Sequence, residues 1–143
     1  MTAKAACQAD GAWLATIPNQ SVQGFINSLF DGDLGTTWVG LTDQAVEGSF
    51  VWDHGEAVSY TNWYPGEPNS FDGNNEDCVC LYNGNYGTWN DAPCFDSSNY
   101  ACERLTDLDD GTQGNFNPTL APSSDFQSPG HAQGTIQYCL PHS

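Results

Sequence analysis

The chain has 143 residues, with 18 acidic side chains against two basic ones and a formal net charge of −16. That balance excludes nucleic acid and anionic membranes as partners, because there is no cationic patch to displace counterions. No apolar run reaches the roughly 18 residues a membrane-spanning helix needs, so no membrane insertion is expected. Five Trp, six Tyr and seven Phe are too many for a disordered chain, and the length suits one domain with a tail.

Residues 3–10 are good helix formers, and Gly11 is a plausible stop. No secretory leader is legible, since Met1 runs directly into this helix; an exported protein would have lost its leader, or the sequence is a fragment. Residues 13–17 (Trp-Leu-Ala-Thr-Ile) read as a short buried strand that Pro18 breaks. Asn19 or Ser21 can cap a second helix, in which Val22, Phe25, Ile26 and Leu29 form one apolar stripe. Asn19-Gln20-Ser21 also fits an N-glycosylation triplet. Asp31-Gly32-Asp33 ends that helix.

Trp38-Val39-Gly40-Leu41 and Phe50-Val51-Trp52 are strands joined by a polar connection containing Asp43 and Glu47. Asp53-His54-Gly55 is a turn, and residues 60–64 are aromatic-rich. Cys78-Val79-Cys80-Leu81-Tyr82 alternates as a strand, sending Cys78 and Cys80 to one face. After a turn at 84–87, Trp89 opens a short strand, and residues 99–104 read as the last strand of the core. Two early helices followed by short strands and long Gly/Asn-rich loops make an α+β domain. Residues 106–134 are rich in Asp, Gly, Ser, Pro and Asn, as a linker or tail would be. Asp107-Leu108-Asp109-Asp110-Gly111 lacks the spacing of a calcium loop and reads as a solvated run. Residues 135–140 suit one more strand.

The stretch from 67 to 91 carries the chemistry. It places Glu67, Asp72, Glu76, Asp77 and Asp91 among glycines and amides, with no Lys or Arg to neutralise them. Carboxylates crowded in one loop repel one another. A divalent cation removes that cost, and mixed carboxylate and amide oxygens suit Ca²⁺. Six cysteines favour an oxidising, secreted setting with disulfides, although they allow 15 connectivities. Zinc is the competing use, but no C-x₂-C pair is present. His54, His131 and His142 have no evident Ser or Cys partner, and the paired acids suit a metal better than a glycosidase, so no enzyme is expected.

Seven landmarks in order resemble the C-type lectin domain. They are Gly11-Ala12-Trp13-Leu14-Ala15-Thr16-Ile17, Trp38-Val39-Gly40-Leu41, Asn62-Trp63, Glu67-Pro68-Asn69, Glu76-Asp77-Cys78-Val79, Trp89-Asn90-Asp91 and Tyr100-Ala101-Cys102-Glu103. The resemblance implies a carbohydrate-recognition domain over residues 1–104, with 105–143 as a tail. Its C-type lectin fold would be double-looped, with two helices and two small antiparallel sheets. A strand that relatives carry before the first helix has no counterpart here, and residues 135–140 are expected to take its place beside 100–104.

By the same resemblance Ca²⁺ is the cofactor, held by Glu67, Asn69, Glu76, Asn90 and Asp91, with a cis bond expected at Glu67-Pro68. The acid–amide pairs Glu67 with Asn69 and Glu76 with Asn90 would bind a sugar's vicinal hydroxyls, each hydroxyl donating to a carboxylate and accepting from an amide. Glu-Pro-Asn goes with mannose-type glycans (mannose, N-acetylglucosamine, glucose, fucose), whereas Gln-Pro-Asp goes with galactose. An auxiliary calcium site maps onto Asp43, Glu47, Glu76 and Asp77; its remaining acid falls at Ser70, with Asp72 near enough to compensate. Disulfides implied are Cys7–Cys102 and Cys78–Cys94, which leaves Cys80 and Cys139 to pair with each other or between molecules. A monosaccharide would bind at roughly millimolar strength, about −4 kcal/mol, so a homo-oligomer offering several sites is expected. The rival reading is a lectin-like domain that binds a protein or ice surface without sugar.

Overall fold

Thr2 opens helix α1 (Ala3–Ala9) by accepting the Ala5 N–H on its hydroxyl at 3.2 Å. Asn19 does the same for α2 (Gln20–Leu29), its side chain accepting the Val22 N–H at 3.0 Å, so the asparagine of the glycosylation triplet serves as a helix cap. The α2 stripe packs as its period requires: Val22 and Ile26 are fully buried, and Phe25 and Leu29 lie against the same core. This computed structural model describes residues 2–73, 75–96, 98–106, 124–126 and 135–139.

The central five-stranded sheet orders β2 (Thr36–Thr42), β3 (Val51–Trp52), β4 (Cys78–Tyr82) and β5 (Thr88–Ala92) as β3-β2-β4-β5 with antiparallel pairing, and its fifth strand, β6 (Asn99–Tyr100), lies parallel to β2. Alternation along β4 and β5 sends Val79, Leu81 and Trp89 into the core with Val39, Leu41 and Trp52. Trp89 is the hub. It is fully buried, Trp52, Tyr60 and Trp63 meet it edge-on at centroid separations of 5.8, 5.9 and 5.6 Å, and its indole N–H reaches Gln23 Oε1 at 2.8 Å. Gln23 in turn donates to the Gly87 carbonyl at 3.1 Å. Gly87 has φ +67°, and a Cβ there would sit 1.9 Å from Asn27 Oδ1, so glycine is required.

The second sheet joins β1 (Trp13–Leu14), β7 (Cys102–Thr106), β8 (Ser124–Phe126) and β9 (Thr135–Cys139) in the order β1-β7-β9-β8. The expected strand at 13–17 is thus only two residues long, although Ala15, Thr16 and Ile17 stay buried. The single strand expected at 99–104 is two elements. Residues Asn99–Tyr100 form β6, parallel to β2, and the chain then changes sheet at Ala101 to enter β7. Fully buried Ala101 donates to the Trp38 carbonyl at 3.1 Å and accepts the Ala15 N–H at 2.9 Å, which couples the two sheets. Strand β9 lies antiparallel beside β7, with Cys139 opposite Cys102 and Ile136 opposite Leu105. Leu140 and the Asp107–Gly111 run lie outside the described residues.

Cys7–Cys102 and Cys78–Cys94 are both bridged. The expected Cys80–Cys139 bridge is not formed: Cys80 is a free, buried thiol. It packs with Trp38 and Ala92 in the central sheet, whereas Cys139 pairs along its backbone with Cys102 in the other sheet. The Cys139 side chain is outside the described residues.

A buried polar knot ties the β3 turn to the second sheet. The Glu103 carboxylate, 2% exposed, accepts the Trp13 indole N–H at 2.8 Å and the Thr16 N–H at 3.2 Å, and lies 3.0 Å from His54 Nε2. The Glu103 hydrogen bond outweighs burial and holds the His54 pKa above its ordinary value.

Candidate metal centre

The stem of the long loop is stitched to β5. Trp89 donates its N–H to the Asn62 carbonyl at 2.8 Å and accepts the Tyr64 N–H at 2.9 Å. Tyr64-Pro65-Gly66-Glu67 then closes a turn with Glu67 N–H on the Tyr64 carbonyl at 2.9 Å, Pro at the second position and Gly66 at φ +95°. The Glu67-Pro68 bond that follows is cis, as expected.

Past the proline, the loop leans on Asp91. This carboxylate, fully buried on β5, accepts the Asn69 N–H at 3.0 Å on one oxygen and the Ser70 N–H at 2.9 Å on the other. The Asn69 side-chain amide donates to Glu67 Oε1 at 2.8 Å, and Glu67 Oε2 is buried without a partner. Burial, then contact with Asp91, then the charge of Glu76 push the Glu67 pKa up to about 7. Glu76 Oε2 accepts the Phe71 N–H at 2.7 Å from a 3₁₀ turn at Phe71–Gly73.

Glu67 is thus linked directly to Asn69 and Asp91 and lies within reach of the Glu76 charge, although the three carboxylates are not gathered within 4.8 Å of one another. Asn90 is the exception. It neighbours Asp91 on β5, but its side chain is on the other face, opposite Cys80, and hydrogen-bonds that thiol. Burial pushes the Cys80 pKa up to about 11, so the thiol is protonated at neutral pH.

A second acidic group lies on the other side of Ser70. Asp43, Glu47 and Asp77 each place one oxygen within 4.8 Å of the others, and Asp43 and Asp77 are buried. Asp43 Oδ2 accepts the Gly48 N–H at 2.8 Å while Oδ1 is buried without a partner. Asn75 donates to Asp77 at 2.5 Å, and the Ser70 hydroxyl, at the position where an acid was expected, donates to Glu47 at 2.9 Å. The Asp72 backbone lies in the 3₁₀ turn, and its side chain is outside the described residues. Ser70 and Asn75 are supporting residues that their polar types alone did not single out.

Both groups have the donor chemistry for a hard divalent cation, and among the described residues only Asp43, Glu47 and Asp77 have their oxygens already converged on one point. Each offers a buried carboxylate oxygen with no donor, Glu67 Oε2 in one and Asp43 Oδ1 in the other. Of the two basic side chains in the chain, Lys4 is paired with Asp53 at 2.7 Å and Arg104 belongs to β7 in the second sheet. An all-oxygen donor set of carboxylates and amides is the chemistry Ca²⁺ prefers.

Comparison with known proteins places these features in a family. The family described as "Lectin C-type domain" matches residues 1–104. The chain is 37% identical over 109 residues to C-type mannose receptor 2 of Rattus norvegicus, which covers 76% of this chain but only 7% of that receptor. The human scavenger receptor C-type lectin carbohydrate-recognition domain superposes with a TM-score of 0.64 at 33% identity, covering 70% of this chain and 78% of that one. A calcium-independent type II antifreeze protein superposes at 0.62 and 30% identity, covering 71% of this chain and 77% of that one. The chain belongs to the C-type lectin domain family, whose members are generally non-enzymatic proteins that bind carbohydrates and Ca²⁺.

Proposed function

We propose that this domain binds mannose-type glycans through a Ca²⁺ ion held by Glu67, Asn69, Glu76, Asn90 and Asp91. The observation that carries the reading is Glu67 Oε2, buried and unpartnered beside Asp91 and Glu76 with no cationic side chain to offset them. Ca²⁺ held by these residues would supply a hard centre that attracts a sugar's hydroxyl oxygens. The side chains then sort those hydroxyls. Glu67 and Glu76 accept their protons, and the second N–H of the Asn69 amide, the one not given to Glu67, donates to a sugar oxygen. Asn90 completes the other acid–amide pair by turning from the Cys80 thiol. Asp91 holds the loop in register while it contributes to the ion.

Asp43, Glu47 and Asp77 are proposed to hold an auxiliary Ca²⁺, which would brace the loop through the Ser70–Glu47 bond. Weak single-site binding makes a multivalent, extracellular recognition or adhesion role the natural use. The two disulfides suit that oxidising compartment. Retention of the protein on immobilised mannose in millimolar Ca²⁺, with elution by chelator, supports the proposal. Retention unaffected by chelator contradicts it and favours the second reading, binding of a protein or ice surface, to which the likeness to a calcium-independent antifreeze protein lends support.

A further inference from the structure

The face of the central sheet turned away from the Trp89 core carries a cleft. Trp38 points to that face while its neighbours Val39 and Leu41 enter the core. The register sets Trp38 opposite Cys80 on β4 and beside Tyr100 on β6. Strand β1 and the start of α1 border the same face, and between them and the sheet lies a cavity of about 550 Å³, a size that suits a small organic molecule. It is lined by none of the residues proposed above to hold Ca²⁺.

Its lining is apolar and aromatic, and its rim is acidic. Leu14 packs with buried Trp38 and half-buried Tyr100, and Phe95 is 87% exposed. A phenyl ring left in water beside an apolar cleft is surface that a bound molecule would cover. Phe95 is anchored on one side by the Cys78–Cys94 bridge and on the other by the Trp38 indole N–H, which donates to the Asp96 carbonyl at 3.2 Å. Asp53 and Asp96 line the cleft with one ammonium, that of Lys4, which is paired with Asp53 at 2.7 Å. Burial chiefly, and after it the charge of Asp96, raise the Cys80 pKa; burial chiefly, and after it Asp10, raise that of Tyr100. The aromatic cluster therefore sits in a negative field. An anion is repelled there, whereas a cation is drawn in and finds ring faces to rest on.

We propose that this cleft binds an amphipathic organic cation, an alkylated ammonium carried on an apolar body. The body fills the space beside Leu14 and Trp38, and the charged head lies among Tyr100, Phe95 and the Asp96 carboxylate. The site does not depend on the sugar reading of the long loop, and the two stand or fall separately.

Equilibrium dialysis of the full chain in chelator, at about 0.15 M salt, tests it. Benzyltrimethylammonium is the probe, with benzyl alcohol and phenylacetate as its neutral and anionic counterparts. The cation should saturate at about one equivalent and bind about tenfold more tightly than benzyl alcohol, with phenylacetate weaker still. Phe95→Ala and Asp96→Asn, both at exposed positions, should each weaken it by about threefold or more. Asp96→Asn should leave benzyl alcohol unaffected, and it keeps the Trp38 bond, which uses the backbone carbonyl. Asp31→Asn removes an equal charge from the exposed end of α2 and should change nothing. Equal affinity for the cation and benzyl alcohol, or an affinity untouched by both cleft variants, would overturn the site. Uptake that fails to saturate, or a loss in Asp31→Asn as large as in Asp96→Asn, would overturn it too, by assigning the uptake to the net charge of −16 alone.

Discussion

Asn69 gives its backbone N–H to Asp91 at 3.0 Å while its side-chain amide donates to Glu67 at 2.8 Å. One residue thus links the buried strand acid to the loop acid, and both carboxylates are drawn into the same small volume. Changing it to a carboxylate tests that link. Asn69→Asp removes the donor and adds a charge beside Glu67, so sugar retention should be abolished. In chelator the domain should lose about 1–2 kcal/mol. Retention on mannose and urea unfolding check the two halves.

Protons should compete with the cation at Glu67. Its pKa, raised to about 7, means the acid form predominates below neutrality. Calcium affinity should therefore fall by about tenfold per pH unit well below that value. The sign for the calcium-free fold is the reverse of an ordinary salt-bridged acid. Glu67 contributes stability that is fully present below the usual carboxylate pKa and lost as pH rises through about 7. Isothermal titration at pH 7, 6 and 5 checks the affinity, and unfolding in chelator across the same range checks the stability.

His54 gives a separate pH dependence. Its folded pKa is raised chiefly by the hydrogen bond to Glu103, so its contribution is fully present below about 6.5 and lost as pH rises through the folded value. His54→Gln should cost about 1 kcal/mol at pH 6 and little at pH 9. The urea midpoints of the two proteins, measured in chelator, should converge as pH rises.

Calcium should stabilise the fold by mass action. At a free concentration a hundredfold above Kd the gain is about 2.7 kcal/mol for one site. Asp43→Asn removes half of a buried like-charge pair with Asp77, so it should lower the calcium stoichiometry by one ion. It should also leave the chelated protein as stable as the parent or more so. Metal content after dialysis, with calorimetric unfolding, measures both effects.

How much of this was legible in the residues follows from which interactions are local. The α2 stripe was readable because Val22, Phe25, Ile26 and Leu29 repeat with the helical period, and the Asn19 cap lies beside it. The split between β6 and β7 was not. Residues 99–104 look like one strand, and only the tertiary bonds of Ala101 to Trp38 and Ala15 divide them between sheets. At the site, the residue types of the Glu67 loop were evident from the sequence. That Asp91 would be fully buried and spend both oxygens on loop N–H groups depends on a fold-wide register. The Cys80 contact of Asn90 had the same origin, since cross-strand partners are known only once the turn at 84–87 sets the pairing.

The most direct measurement is a crystal structure with Ca²⁺ and methyl α-mannoside soaked in. The account predicts one ion in contact with Glu67, Asn69, Glu76, Asn90 and Asp91, with Asn90 turned away from Cys80 and two sugar hydroxyls completing the shell. An Asn90 still on the Cys80 thiol, with no ion beside Glu67 in saturating calcium, would contradict it.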